Sequence, residues 1–218
     1  MDYVRAHELD PAQTVVWIAQ AKIACNIPMY PYYIKTLFEE SGGGMEQLGV
    51  YLGELSHAEL SPRLSISAYL AYMFGGVLRR LICRTRPYEI NPGDTDRVAR
   101  EMHAELIKAF EGERELDETL STVIEAFEAI PRRDEQRPKV AIFGDLYVRD
   151  NDVMNQDLIR TVEEAGGEVI TTPYNEYTKI IAGAYFRRWF KSGNYLTWLK
   201  NRSLLKAMEL IERRYYSY

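Results

Sequence analysis

Two loops of this 218-residue chain concentrate side chains able to do chemistry. The denser one runs Gly144-Asp145-Leu146-Tyr147-Val148-Arg149-Asp150-Asn151-Asp152 and is followed by Asn155 and Gln156. Asp145, Tyr147, Arg149, Asn151, Asp152, Asn155 and Gln156 supply carboxylates, carboxamides, a phenol and a guanidinium. At the start of a helix, Arg149 and free backbone N–H groups would suit an anion such as a phosphate or carboxylate. Helix capping accounts for one such residue, not for seven. Calcium is disfavoured, because the Asp-x-Asp spacing lacks the glycine and distal Glu of an EF-hand loop.

The other loop, residues 22–30, holds Cys25 and Asn26. A thiolate on a loop at the carboxyl end of a strand is placed to ligate an iron–sulfur cluster. There is no Cys-x-x-Cys, and a cluster takes about four thiolates or substitutes, so a partner would have to complete it. Cys83 is the only other cysteine. It lies among Arg79, Arg80, Arg84 and Arg86, whose charges would favour its thiolate, although a place inside a helix would bury it. At helical spacing Arg79 and Arg86 share one face, and Arg80 and Arg84 another. The patch suits a nucleotide or CoA phosphate, or else ion pairs near a helix end. His7, His57 and His103 have no metal-ligand spacing, and neither a P-loop nor a GxGxxG follows a strand.

The elements that must position these loops read as alternating strands and helices. The run 14–19 is apolar and strand-like, Pro31 opens a helix ending at Gly42-Gly43-Gly44, and 48–52 is a second strand. Residues 66–83 form a helix. Another begins with Asp94 as its N-cap and carries Val98, Met102, Leu106 and Phe110 at helical spacing, and an acidic helix covers 113–129. Residues 139–145, 151–165 and 168–172 read as strand, helix and strand, hence a parallel βαβ unit. Ligands of open α/β sheets bind beyond the carboxyl ends of the strands, where both loops fall. The expected organisation is an α/β subdomain over 1–130, a linker at 131–138 between Pro131 and Pro138, and a βαβ subdomain over 139–218 with basic aromatic C-terminal helices.

Composition narrows the classes. Hydrophobic residues make up 46% and charged residues 27%, which excludes global disorder. Two cysteines exclude a disulfide scaffold, and a net charge of −5 disfavours a wholly basic nucleic-acid binder. The apolar stretch 66–77 is short for a bilayer span, so a cytoplasmic setting without membrane or nucleic-acid partners is expected. Charge is segregated: residues 94–130 carry 11 acids and 4 bases, whereas 183–218 carry 8 bases and 2 acids. The 16 tyrosines, several of them flanking the Cys25 loop or lying in the basic tail, suit covered interfaces.

Several segments together resemble a known family. They are Cys25-Asn26-Ile27-Pro28, Ser41-Gly42-Gly43-Gly44-Met45-Glu46, Ala71-Tyr72-Met73-Phe74-Gly75-Gly76, Arg86-Pro87-Tyr88-Glu89, Gly93-Asp94-Thr95-Asp96 and, most specific, residues 144–156. Over about residues 15–177 the chain resembles the 2-hydroxyacyl-CoA dehydratase and benzoyl-CoA reductase D-component family, in its activase-related large-protein branch. The resemblance implies Rossmann-like parallel-sheet subdomains and a cysteine-held iron–sulfur cluster. It also implies low-potential electron transfer in anaerobic metabolism, with an ATP-hydrolysing activase and acyl-CoA substrates. The chain departs from the family in having two cysteines and a shorter length, and it reads as the later part of such a protein. The expected role is a component of that system acting with a cluster-bearing or ATP-hydrolysing partner, or as a homo-oligomer. The alternative is a binding or assembly module of the same family that has lost the cluster.

Overall fold

The computed structural model describes residues 1–20, 27–54, 57 and 60–215, without the side chains at 19, 20, 54, 146, 147, 178 and 214. The chain is α/β and mostly helical, and its strands form two small parallel pairs. It divides into two compact units, Met1–Ile66 and Ser67–Tyr218.

In the first unit α1 (Asp2–Ala6) precedes β1 (Val15–Gln20), α2 (Tyr30–Ser41) and β2 (Gly49–Glu54). β1 and β2 pair in parallel, Val15 opposite Gly49 and Gln20 opposite Glu54. The expected strand–helix–strand is therefore present. Pro31 sits in the first turn of α2, where its missing N–H costs nothing, and Gly42 closes the helix at φ 57°. Val4, Phe38, Met45 and Leu48 form the buried core, with Val16, Ile34 and Val50 packed on it. Lys35 reaches over the end of α2 and donates to the Glu46 and Leu48 carbonyls.

The second unit is built along α3 (Pro62–Thr85), which starts in the first unit. Tyr69, Leu70, Met73, Phe74 and Leu78 recur at helical spacing and are buried. The helix is longer than the expected 66–83. With the turn after it, Pro62–Tyr88 is long and apolar enough to cross a membrane by length and composition, and a third of its most apolar window is buried. Next come α4 (Asp94–Phe110) and α5 (Leu116–Glu128), an antiparallel hairpin. Asp94 is not the N-cap of α4. That position is Gly93, and Glu89 does the capping from four residues upstream, accepting from the Gly93 and Thr95 N–H groups at 2.7 Å each. Asp94 lies inside the first turn and pairs with Arg97.

The expected linker at 131–138 lies inside this unit. The Ile90 N–H donates to the Pro131 carbonyl and the Arg133 N–H to the Tyr88 carbonyl, which pins the segment to the turn after α3. β3 (Lys139–Ala141) follows, then α6 (Leu146–Asp150), α7 (Asp152–Asn155), α8 (Leu158–Glu164) and β4 (Glu168–Ile170), which pairs in parallel with β3. The single helix expected over 151–165 is broken because Gln156 and Asp157 adopt left-handed φ of 56° and 54°. α9 (Tyr174–Lys191) and α10 (Tyr195–Tyr215) form the closing hairpin.

The glycine pair of α3 is asymmetric. A methyl on Gly76 would overlap Pro173 Cβ and lie 3.1 Å from its Cγ, so the turn into α9 rests directly on the helix backbone. Gly75 faces open space. Gly76→Ala is expected to destabilise by about 1–3 kcal/mol through overpacking. Gly75→Ala should gain up to about 1 kcal/mol from helix propensity. Urea midpoints of the two variants measure the contrast, and equal effects would refute the close packing.

Candidate functional site

The candidate site is the carboxyl end of the β3–β4 pair. β3 leads through Ile142, Phe143 and Gly144 into the polar loop, and α6 begins two residues after Gly144. Much of the polar density that marked this loop is spent on the backbone. Asp145 Oδ1 accepts from the Val148 N–H at 3.0 Å. Asn151 Oδ1 caps α7 by accepting from the Met154 N–H at 2.9 Å. Asn155 accepts from the Leu158 N–H at 3.2 Å and donates to the Arg149 carbonyl at 2.8 Å. Gln156 ends α7 in its left-handed conformation, and Asp152 lies in the first turn of that helix. Three successive short helices need three starts, so capping takes up more of these residues than a single helix would.

Arg149 points inward, with a side chain only 5% exposed. Its Nη2 donates to the Thr172 carbonyl at 2.7 Å and lies 3.3 Å from Asp150 Oδ2. Arg79 completes the cluster from α3, placing Nη1 3.1 Å from Asp150 Oδ1 and donating from Nη2 to the Asp150 carbonyl at 3.1 Å. Asp150 is thus an internal anion held between two guanidiniums. The arrangement ties α6, the end of β4 and α3 together, and Arg149 is engaged by its own chain. Nearby, Tyr72 and Tyr174 stack at 5.7 Å. Burial, and then the Asp150 charge, pushes the Tyr174 phenol above its ordinary pKa.

The arginine patch is likewise engaged. Arg80 pairs with Glu176 at 2.8 Å. Arg86 makes a fork to Glu163, Nε to Oε2 at 2.6 Å and Nη2 to Oε1 at 3.0 Å, and its Nη1 donates to Asp96 Oδ1 at 3.1 Å. Arg160 donates to the other Asp96 oxygen at 2.5 Å. Three of the four arginines proposed for a nucleotide or CoA phosphate are therefore held by carboxylates of their own chain.

Cys83 is 2% exposed and packs with Ile142, Ile159 and Val169. Burial, reinforced by Glu163, pushes its thiol up to about 11. A cluster ligand is a thiolate reached by the metal, and this thiol is kept protonated inside an apolar core. Among the described residues no group of three or more His, Cys, Asp or Glu side chains is arranged to hold a metal ion. Those residues do not fit an iron–sulfur cluster. Cys25 and Asn26 lie outside the described residues, as does the Tyr147 side chain. A cavity of about 370 Å³ opens at the α4–α5 turn, lined by Glu105, Glu113, Arg114, Glu115 and Glu118, none of them a site residue expected from the sequence.

Sequence reasoning missed a second buried cluster. Glu212, 3% exposed, accepts from the Tyr69 hydroxyl at 2.9 Å and from Asn175 Nδ2 at 2.8 Å. Lys179 Nζ lies 2.7 and 2.6 Å from its two oxygens. Asn175 and Lys179, four apart on α9, share the face that meets Glu212, and this spacing was the available signal.

No family model, no curated protein and no solved structure matches this chain.

Removing Arg86 leaves Glu163 buried without its fork. Arg86→Ala is expected to cost about 3 kcal/mol by urea unfolding, the lower end for a broken buried pair, because Asp96 is partly exposed. Asp96 supplies a pH signature. Burial raises its pKa, but hydrogen bonds from Arg160 and Arg86 outweigh this and hold it below the ordinary carboxylate value. Its stabilisation is complete above the unfolded-state pKa and lost as pH falls through the lower folded value. The loss of stability between neutral pH and about pH 3 should therefore be smaller in Asp96→Asn than in the parent. An unchanged acid slope would remove Asp96 from the network.

Proposed function

We propose that this chain is a binding and assembly module of the α/β type resembled by 2-hydroxyacyl-CoA dehydratases and benzoyl-CoA reductases. It serves a low-potential electron-transfer system by docking on a partner chain that carries the cluster or hydrolyses ATP. Catalysis, acyl-CoA binding and cluster ligation belong to that partner.

The observation that carries this reading is the open β3–β4 pair. Parallel sheets are normally covered on both faces, and two strands alone are marginal in water. Here all three residues of β3 are exposed, Phe143 just beyond it is 82% exposed, and Ile170 of β4 is exposed too. Among the described residues each strand has one edge that pairs with no other strand. A partner that extends or covers this sheet would bury those apolar groups and satisfy the edges. The resemblance supplies the class of partner. The buried Cys83 thiol and the inward Arg149 favour a module over a self-sufficient catalytic site.

Two measurements test the reading. After anaerobic reconstitution with iron and sulfide, the isolated chain should retain far less than stoichiometric iron, and Cys83→Ala should not alter the amount. A visible-absorbing cluster on the chain alone would overturn the reading and make Cys25 the first ligand to examine. A tagged chain should also capture an iron–sulfur or ATPase chain from anaerobic extract, and Phe143→Asp should abolish that capture while leaving the circular dichroism unchanged. Equal capture by Phe143→Asp would show that the β3–β4 sheet is not the docking surface.

A further inference from the structure

The α9–α10 hairpin has a tip unlike the rest of the molecule. From Tyr177 to Met208 the sequence contains seven lysines and arginines and no acid. Of these, Lys179 is committed to Glu212. Arg187, Arg188, Lys191, Lys200 and Arg202 surround the turn and are exposed. Between them the tip exposes large apolar side chains. Leu196 is 85% exposed, and Phe190, Tyr195 and Leu199 are each more than half exposed. An aromatic cluster supports them from within. Phe190 meets Tyr195 at 5.4 Å and Trp198 at 5.9 Å, Phe186 and Tyr185 lie against Trp189, and the Arg202 guanidinium sits 5.3 Å over the Trp198 ring.

The acidic side of the unit lies at the other end. Phe74 of α3 meets Phe110, the last residue of α4, at 5.7 Å and Tyr215, the last residue of α10, at 5.1 Å. The acidic α4–α5 turn is therefore beside the base of the hairpin. From Tyr215 back to Tyr195, α10 spans about 30 Å at 1.5 Å per residue. That is several Debye lengths at physiological salt, so the acidic turn does not screen the basic tip.

From these observations we infer that the α9–α10 tip docks on the surface of an anionic lipid bilayer. Phe190, Tyr195, Leu196 and Leu199 enter the headgroup–acyl boundary, and Arg187, Lys191, Lys200 and Arg202 meet lipid phosphates and carboxylates. Charge complementarity selects an anionic surface. Exposed leucines beside aromatic rings select a bilayer over a nucleic acid, because Leu196 and Leu199 offer no face on which a base can stack. The tip rests in the interface, and neither helix crosses the bilayer. This contact goes beyond the assembly role, uses a different surface, and revises the expectation of no membrane partner.

The test is co-sedimentation of the full chain with phosphatidylcholine vesicles containing about a third phosphatidylserine, a strongly anionic surface. Binding is expected, with a blue shift of tryptophan fluorescence, and it should vanish on pure phosphatidylcholine. Leu196→Ser with Leu199→Ser should weaken binding about tenfold or more through lost apolar burial. Lys191→Glu with Lys200→Glu should do the same, since each basic residue near an anionic surface contributes about fivefold. All four positions are exposed, so the variants should keep the parent's urea midpoint. No binding to anionic vesicles would overturn the proposal. So would binding that the leucine pair does not weaken, which would leave only adsorption of charge, or tighter binding to a single-stranded oligonucleotide with the same lysine dependence. Loss of partner capture in Phe143→Asp would leave vesicle binding intact, which separates this contact from the assembly role.

Discussion

The ion network around Arg86 is the constraint on which the second unit depends. Its guanidinium stands at the end of α3 with only 12% of the side chain exposed, and it must be matched there or the charge could not be buried. Glu163 from α8 and Asp96 from α4 supply the match, so one side chain ties the βαβ segment to both α3 and α4. The same helix makes further long-range attachments along its length. Tyr69 reaches Glu212 on α10, Gly76 receives the Pro173 turn, Arg79 holds Asp150, and Cys83 enters the apolar cluster under β3 and β4. α3 acts as a spine whose successive turns specify successive neighbours. Those attachments hold the two short strands of the β3–β4 pair against the helical layer.

Local signals in the sequence were reliable where the physics is local. The apolar run of β1, Pro31 opening α2, Gly42 closing it and the period of α3 all follow from backbone and side-chain preferences within a few residues. The breaks between α7 and α8 escaped because Gln156 and Asp157 carry no glycine to announce a left-handed turn. The α4 cap was misread for a related reason: Asp94 has the right chemistry, but Glu89, four residues upstream of Gly93, has the right position. The Glu212 cluster had only the four-residue spacing of Asn175 and Lys179 to signal it, because the hydroxyl partner Tyr69 is 143 residues away. Long-range pairing of this kind has no period to detect.

The loop at 144–156 shows how a dense polar motif can be read in two ways. Asp145, Asn151 and Asn155 look like a binding constellation in sequence, and in space they start and join three short helices. Arg149 looks like an anion receptor, and it instead bonds the Thr172 carbonyl and Asp150. A segment can be distinctive because a tight chain path demands those residues, with no ligand required. Cys83 carries the same lesson with the opposite sign of charge. The arginines beside it in sequence would lower a thiol pKa, but they turn toward Asp150, Glu163 and Asp96, and burial with the Glu163 carboxylate prevails.

The net charge of −5 conceals a strong separation. Acids dominate the α4–α5 hairpin and bases the α9–α10 hairpin, and the aromatic contacts of Phe74 place the acidic turn at the base of the basic arm. Charges about 30 Å apart do not cancel at physiological ionic strength. The unit therefore approaches any charged surface in a preferred orientation, basic tip foremost toward an anionic one. The open β3–β4 sheet is a different kind of surface, apolar and hydrogen-bonding rather than charged. The two contacts proposed for this chain thus use faces with distinct physical requirements, one of strand edges and apolar cover, the other of fixed negative charge over a medium that accepts leucine and aromatic rings. Because those requirements do not overlap, occupancy of one face does not need to exclude occupancy of the other.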